Sequence, residues 1–139
     1  MNRTIVVCVM CLVGVGFLAA GTIILNFDAQ PGFNLVTLKW TTENEINLKG
    51  FEIQRSFDNS NDNNFKTVDF VNANLEQRAR KDYAYEDKSV FRQQQERTYY
   101  YRLKIVDKDN SFTLSRVISV SPTISSARQT WGSIKAMFR

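Results

Sequence analysis

Thr98-Tyr99-Tyr100-Tyr101-Arg102-Leu103-Lys104-Ile105-Val106-Asp107 alternates in character along most of its length. Side chains on an extended backbone point alternately to opposite faces, so Tyr99, Tyr101, Leu103 and Ile105 share one face. Tyr100, Arg102 and Lys104 share the other. A strand with one apolar and one charged face belongs to an antiparallel sheet that packs a core on one side only.

The same alternation recurs on either side of this strand. Val36, Leu38 and Trp40 alternate, as do Phe51 and Ile53 within Gly50 to Arg55, and Tyr83 and Tyr85. A polar loop, Asp58 to Asn64, precedes another apolar block from Phe65 to Val71. Asp107-Lys108-Asp109-Asn110-Ser111 reads as a hairpin turn into Ser111 to Val120, because Asp, Asn and Ser tolerate tight reversals. Asn72 to Lys81 is charged and reads as a surface connection. Six strands separated by turn signals, with no helical period, predict a small all-β antiparallel sandwich over residues 33–121. The core is assigned to Trp40, Phe51, Ile53, Tyr85, Tyr99, Tyr101, Leu103 and Ile105.

The succession Val36-Thr37-Leu38-Lys39-Trp40-Thr41-Thr42-Glu43, then Gly50-Phe51-Glu52-Ile53-Gln54-Arg55-Ser56, then Tyr100-Tyr101-Arg102-Leu103-Lys104-Ile105-Val106-Asp107-Lys108-Asp109 with Phe112 to Val120, resembles a known module. It is the fibronectin type III-like module of exported Bacteroidota-type proteins, which often precedes the sorting domain of type IX secretion cargo. The resemblance implies a fibronectin type III/immunoglobulin-like sandwich. It also implies that Trp40 is the core tryptophan, and that Tyr99 is the tyrosine whose hydroxyl bonds back to a nearby loop. Such cargo carries a separate C-terminal β-domain, whereas 18 residues follow Ser121. Export by that route is therefore not expected.

Flanking segments add two helices to this expectation. Thr4 to Leu25 is 22 residues without a charge, preceded by Arg3. About 20 apolar residues cross a bilayer, while a signal-peptide apolar region is about 7–15. Residues 1–25 thus read as a signal-anchor transmembrane helix, or as a cleaved signal with Ala19-Ala20-Gly21 as its small-residue site. Residues 26–32 read as a linker. Arg3 on one side, with no cation until Lys39 on the other, places the N-terminus in the cytoplasm and exports the rest. That predicts an inner-membrane protein with a periplasmic domain, or a secreted or surface protein after cleavage. Residues 122–139 read as a short basic amphipathic helix starting at Ser121-Pro122. Ile124, Ala127, Trp131, Ile134 and Phe138 recur at spacings of 3 and 4, while Arg128, Lys135 and Arg139 carry the charge. This tail is an interaction surface for the sandwich itself, an anionic membrane or a protein partner.

Little in the chain points to chemistry. Its net charge is +4, yet Gln30 to Ser121 holds 14 Lys/Arg against 13 Asp/Glu, so no basic face for nucleic acid is expected. Cys8 and Cys11 sit within the apolar run and read as membrane-helix residues rather than a redox or metal pair. Histidine is absent. Asp107-x-Asp109-x-Ser111 begins like a calcium loop but continues with Phe112 and Ile118 where Gly and Glu are needed. Asp58 and Asp62 read as a solvated loop, Glu43 and Glu45 as surface charge, and Arg78-Ala79-Arg80-Lys81 as an exposed basic cluster. No catalytic residue, cofactor or metal is assigned. The sequence predicts a non-enzymatic, membrane-anchored module for interaction or structure in the cell envelope. The alternatives are an accessory single-pass subunit of a larger membrane enzyme or secretion complex, and a cleaved secreted binding module with Tyr100 as its exposed ring.

Overall fold

The computed structural model describes residues 21–90 and 97–122. Eight strands appear among them: β1 (Ile23–Pro31), β2 (Val36–Glu43), β3 (Leu48–Ser56), β4 (Lys66–Asn72), β5 (Arg80–Asp87), β6 (Tyr99–Asp107), β7 (Phe112–Leu114) and β8 (Ile118–Val120). One sheet has the order β1-β2-β5; the other runs β4-β3-β6-β7, with β8 also paired to β6. All pairings are antiparallel. The fold is therefore an all-β sandwich, as the alternating blocks predict.

Strand β1 changes the expected boundaries. The composition places Ile23 to Leu25 in the anchor and residues 26–32 in a linker, but Ile23–Pro31 pairs with β2 along its length. Two features hide it in the sequence. Its first residues continue the apolar run, and an irregularity between Ile24 and Asn26 breaks the period of two. Phe27 still reaches the core. The remaining extra strand comes from Ser111 to Val120, which divides into β7 and β8 around Ser115. There the Ser115 hydroxyl accepts the Leu103 amide at 2.9 Å, replacing a ladder bond. Of the expected N-terminal helix, Gly21 and Thr22 are not helical and Ile23 to Leu25 are strand, while residues 1–20 lie outside the described residues, as do residues 123–139 of the expected C-terminal helix.

Among the described residues, four non-glycine residues have positive φ, and all are asparagines: Asn34, Asn44, Asn47 and Asn110. Asparagine tolerates the left-handed region, so these residues mark where the chain reverses between strands. Asn44 and Asn47 bracket the β2–β3 loop, and Asn110 closes the β6–β7 turn, where its amide meets the Asp107 carbonyl at 2.9 Å. Gly50 is required by packing instead. A Cβ there would lie 2.4 Å from the Val71 carbonyl oxygen and 2.6 Å from the Phe70 ring.

Between the sheets lie Phe27, Val36, Leu38, Trp40, Leu48, Phe51, Ile53, Val90, Tyr99, Tyr101, Leu103, Ile105 and Val120, all buried. Seven of the eight residues assigned to the core from sequence are among them; Tyr85 is half-buried against the cluster. Trp40 stacks on Tyr83 at 5.3 Å, and Phe51 meets both rings edge-on. Burying each large side chain is worth about 1.5–3 kcal/mol, and each aromatic pair adds about 0.5–1.5 kcal/mol.

Strand pairing defines two ends. At the entry end lie the start of β1, the β2–β3 loop (residues 44–47), the β4–β5 loop (residues 73–79) and the β6–β7 turn. At the far end lie the β1–β2 turn, the β3–β4 loop, the end of β5 and the end of β8.

Candidate functional site

Each end of the sandwich holds a carboxylate drawn inside. At the far end, Asp87 on β5 is fully buried. Its Oδ2 accepts from the Arg55 guanidinium at 2.5 Å and from the Tyr101 hydroxyl at 2.7 Å. Its Oδ1 accepts the Ser89 amide at 2.9 Å and the Ser89 hydroxyl at 2.6 Å, and Arg55 also donates to that hydroxyl at 2.7 Å. Local register explains the convergence. Asp87 follows Tyr83 and Tyr85 at period two, and Arg55 follows Phe51 and Ile53, so both point between the sheets. Burial alone raises the Asp87 carboxyl, but the bonds from Ser89, Tyr101 and Arg55 outweigh it and hold the group below the usual range. Burial and the neighbouring Asp87 push the Tyr101 phenol far up, so it remains a donor at any physiological pH.

At the entry end, Glu45 leaves the β2–β3 loop and turns inward, its side chain only 4% exposed. It accepts from Thr42 at 2.5 Å, Tyr83 at 2.7 Å and Lys81 at 2.8 Å. Glu45 is therefore not surface charge, and Lys81 does not belong to an exposed basic cluster; Arg78 and Arg80 remain exposed. A loop residue has no register to reveal its direction, which is why the sequence pattern misses Glu45.

The outward face of β6 also differs from expectation. Arg102 and Lys104 fall on the charged face that the alternation turns outward, yet Arg102 is only 7% exposed. The β3–β4 loop folds over this face and covers it. Arg102 donates to Gln54 at 2.8 Å and Asp62 at 2.5 Å, and lies 4.2 Å over the Phe65 ring. Asp62 is thereby an ion-pair partner, while Asp58 accepts from Ser60 and Asn64. Lys104 pairs with Glu52 at 3.1 Å and lies 4.7 Å over Phe112. Tyr100 is half-buried. The structural hydroxyl belongs to Tyr101 rather than Tyr99, whose hydroxyl has no partner among the described residues.

Both inward carboxylates are saturated by donors, and among the described residues no three His, Cys, Asp or Glu side chains group to hold a metal. What remains open is surface. A groove of about 630 Å³ separates the edge strands β1 and β7, lined by Ile24, Leu25, Phe27, Ile105, Leu114 and Arg116. Arg116 closes its floor by donating to the Phe27 carbonyl at 2.7 Å. At the entry end, Ile23, Ile46, Leu75 and Phe112 are exposed, Leu75 to 91%. The sequence-assigned interaction residues Ile124, Arg128, Trp131, Ile134, Lys135, Phe138 and Arg139 lie outside the described residues.

No protein-family model and no curated protein matches this chain. Solved structures do. An Fn3-like protein from Clostridium thermocellum is 15% identical, with a TM-score of 0.53 over 77% of this chain and 96% of that one. Pectate lyase Pel3 from Pectobacterium carotovorum is 19% identical, with a TM-score of 0.53 over 77% of this chain. Pectate lyase PelI from Erwinia chrysanthemi is 15% identical, with a TM-score of 0.54 over 75% of this chain. This chain spans 28% of each lyase. The expectation of a protein set apart from enzymes does not stand, because the same fold forms part of chains solved as pectate lyases. At these identities the likeness concerns fold alone, and in fold the chain is an Fn3-like β-sandwich.

Proposed function

We propose that the chain is a membrane-tethered interaction module of the cell envelope: a sandwich fixed to the bilayer by its N-terminal apolar segment and offering its surfaces to a protein partner. One observation carries this reading. Ceding Ile23 to Leu25 to β1 leaves Thr4 to Thr22, 19 residues without a charge, running directly into the first strand. Gly21 and Thr22 are not helical, and the seventeen residues Thr4 to Ala20 would rise about 26 Å as a helix, near the hydrocarbon thickness of about 30 Å. Arg3 then orients the domain outward, toward a periplasm, and the Bacteroidota-type resemblance agrees with an exported setting.

The chain leaves the described sandwich at the far end, after β8. Nine-residue strands are about 30 Å long, so the tail stripe of Ile124, Trp131, Ile134 and Phe138 starts well away from the membrane that holds Thr4 to Thr22. That favours a protein partner over the lipid surface for the tail. A second reading, an accessory subunit of a larger membrane enzyme, draws support from the same fold serving as part of pectate lyase chains.

Alkaline carbonate treatment of membranes from expressing cells tests the tether. The chain should stay in the pellet, with the sandwich digested by protease added to the periplasmic side. A chain released into the supernatant would reject the tether. Co-purification in detergent separates the two readings, since a stoichiometric complex with enzyme subunits supports the second.

A further inference from the structure

Six of the eight exposed large apolar side chains among the described residues lie at or beside the entry end: Ile23, Leu25, Ile46, Leu75, Phe112 and Leu114. They come from four separate stretches of chain. Ile23 opens β1, opposite Glu43 at the end of β2. Ile46 tips the β2–β3 loop, and the Asn44 amide at the base of that loop bonds the Ala79 carbonyl at 3.0 Å. Leu75 tips the β4–β5 loop. Phe112 follows the β6–β7 turn, which is tied to the β2–β3 loop by the Lys108 amide on the Asn47 carbonyl at 2.8 Å. Leu25 and Leu114 continue the patch two residues along the edge strands β1 and β7. The far end has two such residues, Phe33 and Phe57, and Phe57 packs against Tyr99 at 5.4 Å.

Exposed apolar side chains scattered singly need no explanation, but a cluster at the loop tips of one end does. Folding does not require it, because the core closes without these residues. The end they occupy is also the one from which Thr4 to Thr22 departs, one residue before Ile23. We infer that the entry end of the sandwich lies on the bilayer, with Ile46 and Leu75 inserted among the lipid headgroups and Ile23 and Phe112 at the boundary. This rests on the tether proposed above and specifies the geometry of the domain upon it.

The bilayer is favoured as occupant by that continuity, since an apolar segment ending at Ala20 leaves only Gly21 and Thr22 between membrane and β1. Charge sets the character of the contact. The exposed cations Arg78 and Arg80 share this end with Glu76 and Glu43, at 3.3 and 4.0 Å. The surface is thus close to neutral, and its attachment depends on apolar insertion more than on anionic lipid. Ile46 and Leu75 also sit above the Glu45–Lys81–Tyr83 cluster, which holds the two loops from beneath: Lys81 donates to both Glu45 and the Asn74 carbonyl. The tips are therefore carried on a fixed base.

The test uses the full chain with Cys8→Ala and Cys11→Ala, carrying one environment-sensitive fluorophore at Leu75→Cys, Ile46→Cys or Phe33→Cys. Each labelled position is more than half exposed, so the fold tolerates the label. The chain is reconstituted in phosphatidylcholine vesicles containing lipid spin-labelled near the headgroup. Quenching at positions 75 and 46 should exceed that at 33 at least twofold, and adding phosphatidylglycerol should change it little. Equal quenching at 75 and 33 in a carbonate-resistant chain would overturn the orientation while leaving the tether intact. So would a label at 75 shielded without lipid quenching, as when a second copy packs there. Extraction by carbonate would remove the tether and this inference with it.

Discussion

The far end and the entry end of the sandwich solve the same problem in different ways. Both must stop the two sheets from separating where strands give way to loops, and both use a buried carboxylate. At the far end the clamp joins opposite sheets, because Asp87 belongs to β5 while Arg55 and Tyr101 belong to β3 and β6. At the entry end, Glu45 gathers Thr42, Lys81 and Tyr83, which all belong to β2 and β5. The first device locks sheet to sheet. The second fixes a loop to its own sheet. A difference in mechanical role follows: the far end is a structural lock, and the entry end is a platform whose tips stay free to touch something else.

Breaking the far clamp should cost most. Arg55→Met leaves Asp87 buried and without its cation, and should lower the unfolding free energy by about 3–5 kcal/mol in denaturant titration. Gly50→Ala comes next, at about 1–3 kcal/mol, because the new methyl meets backbone and ring on β4 rather than a flexible chain end. Tyr101→Phe should cost about 1–3 kcal/mol, since it strips a donor from a buried carboxylate, whereas Tyr99→Phe should be close to neutral. If the order of those two reversed, the hydroxyl assignment to Tyr101 would be wrong. At the entry end, Glu45→Gln keeps an acceptor for Thr42 and Tyr83 but turns an amide donor toward the Lys81 ammonium, which retains the Asn74 carbonyl, and should cost about 1–3 kcal/mol. Leu75→Asp should leave stability within about 0.5 kcal/mol while weakening the lipid contact.

Acid sharpens the same contrast. Asp87 has a folded value held below its unfolded one, near 4. Its stabilisation is therefore complete above that pH and is lost as pH falls through the folded value. Thermal melts should show the midpoint dropping below about pH 4. Asp87→Asn, though less stable at neutrality, should lose much of that slope. A slope unchanged in Asp87→Asn would assign acid sensitivity to other carboxylates.

Sheet periodicity made much of this molecule legible. Trp40, Phe51, Ile53, Tyr101 and Leu103 could be placed because each falls on an alternating stripe. The far clamp was within reach of the same reasoning, since Arg55 and Asp87 continue inward stripes and a buried position demands a counter-charge. For Arg102, register gives the face correctly but cannot show that the β3–β4 loop folds over it. Glu45 lacked any periodic signal. Strand β1 was masked by composition, as a strand beginning at Ile23-Ile24-Leu25 after an apolar run reads as more of that run. The exposed tips Ile46 and Leu75 are single apolar residues in polar loops, and only the fold brings them to one end.

The tether depends on the segment ahead of Ile23 staying attached to β1. Cleavage before Gln30 would discard most of β1, including Phe27 from the core. Cleavage after Gly21 would leave the sandwich whole and untethered. The intact mass of the chain recovered from membranes decides the matter. A mass that includes Thr4 to Thr22 is the predicted result, and a mature chain beginning at Thr22 would contradict it.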